Sequence, residues 1–205
     1  MLVPWCAASA ETLNRVVASV DYQAITERDV VTEFHYEQLL NGTLPKGEPS
    51  SQTRGEMRTR LVEQALLAEE ARDARLPEVP PQTLAQDLAD LRKKFDSPRT
   101  FEDALRASGL DEAGLLERLR RRDLIAEQTE LRLRPQVWVE PSEIEAYYKE
   151  TFVPEFKQHS QEPPPAIDEV TDKIRDILVE QKINKLLDDW ISDLKTIHRV
   201  DLAPM

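Results

Sequence analysis

Residues 170–202, VTDKIRDILVEQKINKLLDDWISDLKTIHRVDL, set the outline of the fold. Apolar side chains recur every three or four residues, from Val170 through Ile183 to Leu194, and this spacing predicts one long helix. At ~1.5 Å per residue, a helix of roughly 28 residues spans about 40 Å, which is longer than a compact domain of this size needs. The end of the segment, 197–202, alternates apolar and polar side chains and predicts a strand.

A second strand is predicted near the beginning of the chain, within 13–25. This stretch is rich in β-branched residues, and Asp21-Tyr22-Gln23 predicts a turn in it. Because an isolated strand leaves its backbone groups unpaired, we expect the N- and C-terminal strands to pair with each other. The predicted fold class is therefore mostly α, a multi-helix body with a long C-terminal helix and a small β-sheet that pairs the terminal strands.

Helices fill the chain between these strands. The first begins after Thr26, where Asp29 completes a capping box, and it ends at Asn41-Gly42. Further helices are predicted at 51–75, 81–95, 100–108, 112–134 and from Pro141 onward, each with apolar residues at helical spacing. Prolines cluster between these segments, where they separate helices without interrupting them.

The charge balance excludes several classes of partner. The net charge is −12, and a protein that neutralises phosphates needs a positive face, so nucleic acid is not an expected partner. A stretch of 18 or more apolar residues is absent, so stable membrane insertion is not expected either. The one basic cluster is interpreted as the solvated face of a helix, compensated by Glu117, Asp123 and Glu127. It consists of Arg118, Arg120, Arg121 and Arg122.

No constellation of residues for catalysis, metal binding or cofactor binding is recognisable. The histidines, His35, His159 and His198, fall on different elements without a second ligand at metal spacing. The phosphate-binding patterns GxGxxG and the P-loop are absent, as is the GxSxG of serine hydrolases. The single cysteine, Cys6, allows no disulfide within the chain. We therefore expect no catalytic residues, no metal, no cofactor and no enzymatic activity.

The first ten residues, MLVPWCAASA, are apolar and end in the small-x-small pattern Ala8-Ser9-Ala10 that signal peptidases cleave. We interpret 1–10 as the remnant of an export signal and 11–205 as one helical domain. The alternative is that these residues form a terminus without any targeting role.

Four segments together resemble the SurA-type periplasmic chaperones and their parvulin-containing relatives. The first two are RVVASVDYQAITERDV at 15–30 and MRTRLVEQALLAEEARDARL at 57–76. The third is VEPSEIEAYYKETFVPEF at 139–156, and the fourth is the closing segment 170–202. They occur in the order expected for that family and cover almost the whole chain.

In the family that these segments resemble, the helix with two adjacent tyrosines leads into a parvulin domain of prolyl isomerases. Here that helix is placed at 141–156, and only a short stretch separates it from the closing helix and strand, 166–202. No glycine follows Gly114, whereas a parvulin domain uses several glycines in turns. The resemblance thus implies a chaperone body, with its N-terminal strand and helices reaching to about 139, but no isomerase domain.

The implied function is that of an ATP-independent periplasmic holdase. Its partners would be unfolded or nascent envelope polypeptides, which it binds in a groove and keeps from aggregating. Five aromatic residues are candidates for lining the groove, although their spacing fits a core position equally well. They are Phe34, Tyr147, Tyr148, Phe152 and Trp190.

Three alternatives stay open at this point. The chain could be a structural or scaffolding protein, and its long final helix favours a homodimer formed by helix or strand exchange. It could be a prolyl isomerase in spite of the missing domain. Without an export signal, it could also be a cytoplasmic helical adaptor.

Overall fold

The protein is described here over residues 15–203 of a computed structural model, in which helices surround one small sheet. The strands are β1 (Val16–Val20), β2 (Gln23–Thr26) and β3 (Val200–Leu202). The helices are α1 (Glu27–Leu40), α2 (Ser51–Asp73), α3 (Pro81–Arg92), α4 (Pro98–Ala107), α5 (Glu112–Leu133), α6 (Pro141–Tyr147), α7 (Val153–His159) and α8 (Ile167–Ile197). The segment interpreted as an export-signal remnant, 1–10, lies outside the described residues.

The terminal strands pair as predicted. The strand order is β2-β1-β3, all antiparallel, so β1 lies in the centre and both other strands lie at the edges. The register places Ala18 opposite Leu202 and Val20 opposite Val200. The N-terminal stretch forms a hairpin of two strands, because the predicted turn at Asp21 reverses the chain inside it. This turn is left-handed at Asp21, with a φ of 49°.

The first helix begins and ends where its capping residues place it. At its start, the Thr26 hydroxyl accepts a hydrogen bond from the Asp29 amide, and the Asp29 carboxylate accepts one from the Thr26 amide at 2.8 Å. At its end, Gly42 adopts a φ of 73°, and a Cβ at this position would lie 2.8 Å from the Cβ of Lys94. The glycine therefore stops α1 and lets the end of α3 pack closely against it.

The side chains inside the protein form three apolar clusters. The sheet core lies between β1, β2, α1, α2 and the C-terminal half of α8, and it contains Val17, Leu66, Ile183 and Leu194. The distal core joins the end of α1 to α3, α4 and α5, with Leu39, Phe101, Leu115 and Leu119 at its centre. The arm core joins α6 and the π-helical turn Tyr148–Phe152 to the N-terminal half of α8, around Ile144 and Ile174.

The long helix α8 connects two of these clusters. It has 31 residues, so its length is about 46 Å at ~1.5 Å per residue. Val170 and Ile174 lie in the arm core, whereas Trp190 and Leu194 lie in the sheet core. The helix extends to Ile197, which the alternating pattern had assigned to the last strand, and His198 ends it in an extended conformation.

The helix predicted at 141–156 is present but is not a regular α-helix throughout. A π-helical turn, Tyr148–Phe152, separates α6 from α7, and α7 runs on to His159. The physical cause is Pro154, which has no N–H to donate and whose ring would clash with the carbonyl of Glu150 in a regular α-helix. The wider turn relieves that clash and lets the chain continue as a helix into α7.

A histidine clamps the turn of the hairpin to the C-terminal strand. His198 Nδ1 lies 2.7 Å from one carboxylate oxygen of Asp21, and the Arg199 amide donates to the other at 2.9 Å. His198 Nε2 faces Glu70 of α2 at 3.8 Å. The hydrogen bond with Asp21 raises the pKa of His198 above its ordinary value of 6.5, although burial opposes the shift. The protonated form of the imidazole therefore bridges a strand turn and a helix.

This clamp makes the stability of the fold depend on pH. Because the folded protein raises the pKa of His198, its contribution is fully present below pH 6.5 and is lost as the pH rises through the folded pKa. We expect the melting temperature of the wild type to fall by a few degrees more than that of His198→Gln between about pH 6 and pH 8. Thermal unfolding followed by circular dichroism measures this difference.

The control for this prediction is His159→Gln, which removes an exposed imidazole from α7. His159→Gln should follow the wild type at both pH values. Identical pH dependence in the wild type and His198→Gln would show that the clamp does not stabilise the fold.

Candidate functional site

A cleft of about 590 Å³ lies between the sheet core and the distal core. Its walls come from β2, α1, α2 and α5, so it forms where the two apolar clusters meet without filling the space between them. Its volume lies within the range of small-ligand pockets, roughly 300–1,000 Å³. Apolar side chains on its walls include Ile25, Leu40, Leu61, Leu110 and Ile125.

The inner side of the cleft carries a buried charge. Glu33 is only 2% exposed. Its carboxylate accepts a hydrogen bond from the side-chain amide Nε2 of Gln64 at 3.1 Å and another from the guanidinium of Arg118 on α5. The guanidinium of Arg118 also lies 5.2 Å from the ring centre of Tyr36. One charge pair therefore ties three helices, α1, α2 and α5, together at the boundary of the two cores.

Tyr36 lies beside this pair and is itself buried. Burial raises the pKa of Tyr36 to about 12, so its hydroxyl stays protonated at any physiological pH. That hydroxyl has no hydrogen-bond partner among the described protein atoms. The cleft wall thus holds a donor that the rest of the chain does not use.

The remaining arginines around the cleft are mostly paired. Arg60 of α2 forms an ion pair with Glu37 of α1. Arg122 of α5 contacts Asp87 of α3 at 2.5 Å and its neighbour Asp123 at 2.9 Å. Burial, followed by the hydrogen bond and charge of Asp123, raises the pKa of Asp87. These ion pairs link α1 to α2 and α3 to α5 around the cleft.

The basic cluster on α5 is therefore only partly the solvated face that the sequence predicted. Arg120 pairs with Glu117 and Arg122 with Asp123, as expected for an exposed helix surface. Arg118 points inward to Glu33, which the charge pattern did not reveal. One sequence signal could have indicated the buried pair: Glu33 lies three residues after Val30, on the apolar stripe of α1.

The five aromatic candidates do not form one site. Phe34 packs against the sheet core, and Trp190 belongs to it, with an exposed fraction of 6% and the guanidinium of Arg132 over its ring at 4.5 Å. Tyr147, Tyr148 and Phe152 pack on the arm core at the other half of α8. Their predicted role in binding a polypeptide stays a prediction.

The arm, which comprises α6, the π turn and α7, carries a row of aromatic rings. Tyr148 and Phe152 stack with ring centres 5.7 Å apart, and Phe156 follows at 6.0 Å from Phe152. The Tyr148 hydroxyl donates to the carbonyl of Pro165 at 2.7 Å. This bond ties the short linker 160–166 back onto the helix, so the chain passes directly from α7 to α8.

Over residues 15–203, no group of three or more His, Cys, Asp or Glu side chains is placed to hold a metal ion. The helices in the same part of the chain are all too short or too polar to cross a membrane.

Comparison with known protein families identifies the part of the chain that builds the cleft. A family model described as the SurA-like N-terminal domain matches residues 3–130. The chain belongs to this SurA-like family. No curated protein matches the chain.

The SurA-like match includes every wall of the cleft, because β2, α1, α2 and the lining part of α5 all fall before residue 130. Family membership identifies this part as a chaperone-type module. The arm and α8 lie beyond the matched residues, so their resemblance to the family rests on the segments at 139–156 and 170–202.

The buried pair in this SurA-like module predicts a specific energetic signature. Arg118→Leu leaves the carboxylate of Glu33 buried without its cation and should lower the free energy of unfolding by about 3 kcal/mol or more. Glu33→Leu/Arg118→Leu removes both charges and should recover much of that loss. Urea unfolding of the single and double variants measures the coupling.

Arg106→Leu is the matched control, because it breaks the exposed Arg106–Asp103 pair, whose arginine side chain is 74% exposed. It should change the free energy of unfolding by less than about 0.5 kcal/mol. If Arg118→Leu is equally mild, the pair does not hold the two cores together.

Proposed function

We propose that this protein is an ATP-independent chaperone that binds unfolded or nascent envelope polypeptides and prevents their aggregation. The observation that carries the proposal is its membership of the SurA-like family over the part of the chain that forms the cleft. The walls of that cleft offer apolar side chains next to paired charges, a combination that suits segments of varied sequence. The proposal includes no prolyl isomerase activity.

Exposed apolar side chains outside the cleft support the same function. Trp138 is 72% exposed and Leu131 59% exposed, and both lie near the end of α5. Apolar side chains that lie together at the surface are typical of proteins that bind other polypeptides. The net charge of −12 keeps such a surface soluble.

We place the function in the periplasm, where the SurA-like family acts. The apolar start of the sequence, with its small-x-small pattern, supports export. Osmotic-shock fractionation of cells that express the full reading frame, with a cytoplasmic marker enzyme as control, tests the location. Retention of the protein with the marker would contradict it.

Holdase activity is tested with a chemically denatured client diluted into buffer without nucleotide. We expect the wild type to suppress light scattering at equimolar to severalfold excess. Ala24→Trp should weaken suppression, because Ala24 is an exposed residue of β2 on the wall of the cleft. Ala85→Trp changes an exposed alanine on α3 outside the cleft and should behave as the wild type.

Aggregation that is unaffected by excess wild-type protein would overturn the proposed function. Equal suppression by both tryptophan variants would show that clients bind outside the cleft. A proline-peptide isomerisation assay at catalytic ratios, with a parvulin as positive control, completes the test. A robust rate would show that the chain is an isomerase after all.

Homodimerisation by exchange of helices or strands stays a prediction. In the described chain both halves of α8 pack on clusters of the same molecule. Sedimentation equilibrium over a range of concentrations distinguishes a monomer from an exchanged dimer.

A further inference from the structure

One arginine on α5 differs from its neighbours. Arg118, Arg120 and Arg122 each have a carboxylate partner, on α1, α5 and α3 respectively. Among residues 15–203, Arg121 has neither an ion pair nor a hydrogen bond to its side chain, which is partly buried. A cation that is partly removed from water and forms no ion pair favours an anionic ligand.

Arg121 also lies at a junction. It borders the cleft of about 590 Å³ and a second cavity of about 220 Å³ between α2 and α5. Gln23 and Glu117 border both cavities as well, so the two spaces meet at these side chains. A ligand that places a negative charge at Arg121 can therefore extend in two directions from it.

The strand beside this junction has a free edge. In the order β2-β1-β3, the outer edge of β2 pairs with no other strand of the described chain. Gln23 lines both cavities, and Ala24 and Ile25 line the larger one. An unpaired edge next to a cavity can accept an extended polypeptide as an added strand.

We propose that this junction binds the C-terminal end of an unfolded polypeptide, a subclass of client within the proposed chaperone function on which this inference rests. The terminal carboxylate pairs with Arg121, and an apolar last side chain enters the larger cleft. The preceding residues lie extended along the outer edge of β2.

The terminal residue fits this place better than an internal acidic residue does. A terminal residue carries its carboxylate and its side chain on the same Cα. It can therefore place the carboxylate at Arg121 and the side chain in the larger cleft, and no backbone has to continue beyond the junction. An internal residue would have to continue its backbone into the larger cleft, where apolar walls leave most of its N–H and C=O groups without hydrogen-bond partners. The apolar walls there, among them Leu61 and Ile125, suit a large aliphatic or aromatic side chain.

The test measures binding of a fluorescent ten-residue peptide that ends in Phe, by fluorescence anisotropy at fixed ionic strength. Three forms are compared: the free acid, the C-terminal amide, and an amide with one internal Asp. Proteins are the wild type, Arg121→Gln, Arg121→Lys and the control Arg106→Gln, which removes the same charge from α4. Circular dichroism confirms that each variant is folded.

We expect amidation to weaken binding to the wild type by about tenfold, since a charge-assisted hydrogen bond contributes on that order. Arg121→Gln should bind acid and amide alike, Arg121→Lys should keep part of the preference, and Arg106→Gln should equal the wild type. Methylation of alternate peptide amides should weaken binding further, because it removes donors needed for pairing with β2.

Equal binding of acid and amide by the wild type would overturn the inference, as would an unchanged preference in Arg121→Gln. Affinity restored by the internal Asp would also overturn it, because the occupant would then be an internal acidic segment. Aggregation of a denatured client, measured with the same proteins, separates this failure from failure of the chaperone function. If the protein suppresses aggregation but binds the free acid and the amide equally, only the terminal-carboxylate site is wrong. If it neither suppresses aggregation nor prefers the free acid, the proposed chaperone function is wrong as well.

Discussion

The pairing of β1 with β3 is the constraint on which the rest of the fold depends. It joins the two ends of the described chain across a register of three residue pairs, and it places the C-terminal half of α8 over the sheet core. Without it, β3 would leave its backbone groups unpaired and α8 would lose its C-terminal anchor. The contacts of His198 with Asp21 and with Glu70 of α2 also hold the C-terminal segment against the β-hairpin. The arm core at the other end of α8 has no comparable strand, so its position follows from the helix.

The second organising feature is a charge placed where the cores meet. Burying Glu33 and Arg118 costs desolvation, and such pairs often add little net stability compared with apolar residues of the same size. Apolar side chains at these positions would favour closer contact of the sheet and distal cores. The polar pair instead places groups that need hydrogen-bond partners between the two cores. The cleft that remains has the Tyr36 hydroxyl and the Glu33 carboxylate in its wall. The cavity is thus a result of local polarity as well as of helix packing.

Much of the fold followed from local patterns, and the rest depended on contacts that such patterns do not contain. Thr26 with Asp29, Asn41-Gly42 and the stripe of α8 are signals read within a few residues, so the helices lie close to their predicted places. The π turn at Tyr148 needed the geometric effect of Pro154 inside an otherwise regular helix pattern. Glu33 and Arg118 are 85 positions apart. The place of Glu33 on the apolar stripe of α1 indicates that it is buried, but no local pattern identifies Arg118 as its partner. The aromatic residues were found by type, but their separation between two clusters depends on how α8 is placed.

The position of β3 has a consequence for how the chain matures. During synthesis, β1 and β2 emerge first, and the strand that completes the sheet emerges only after α8. Until then, β1 exposes the edge that β3 later covers, and the sheet core lacks Trp190 and Leu194. The contacts that close the domain join residues at opposite ends of the sequence, which slows folding and prolongs the exposure of apolar surface. A protein of this topology therefore keeps the edge of β1 and part of its sheet core exposed until its last strand is in place.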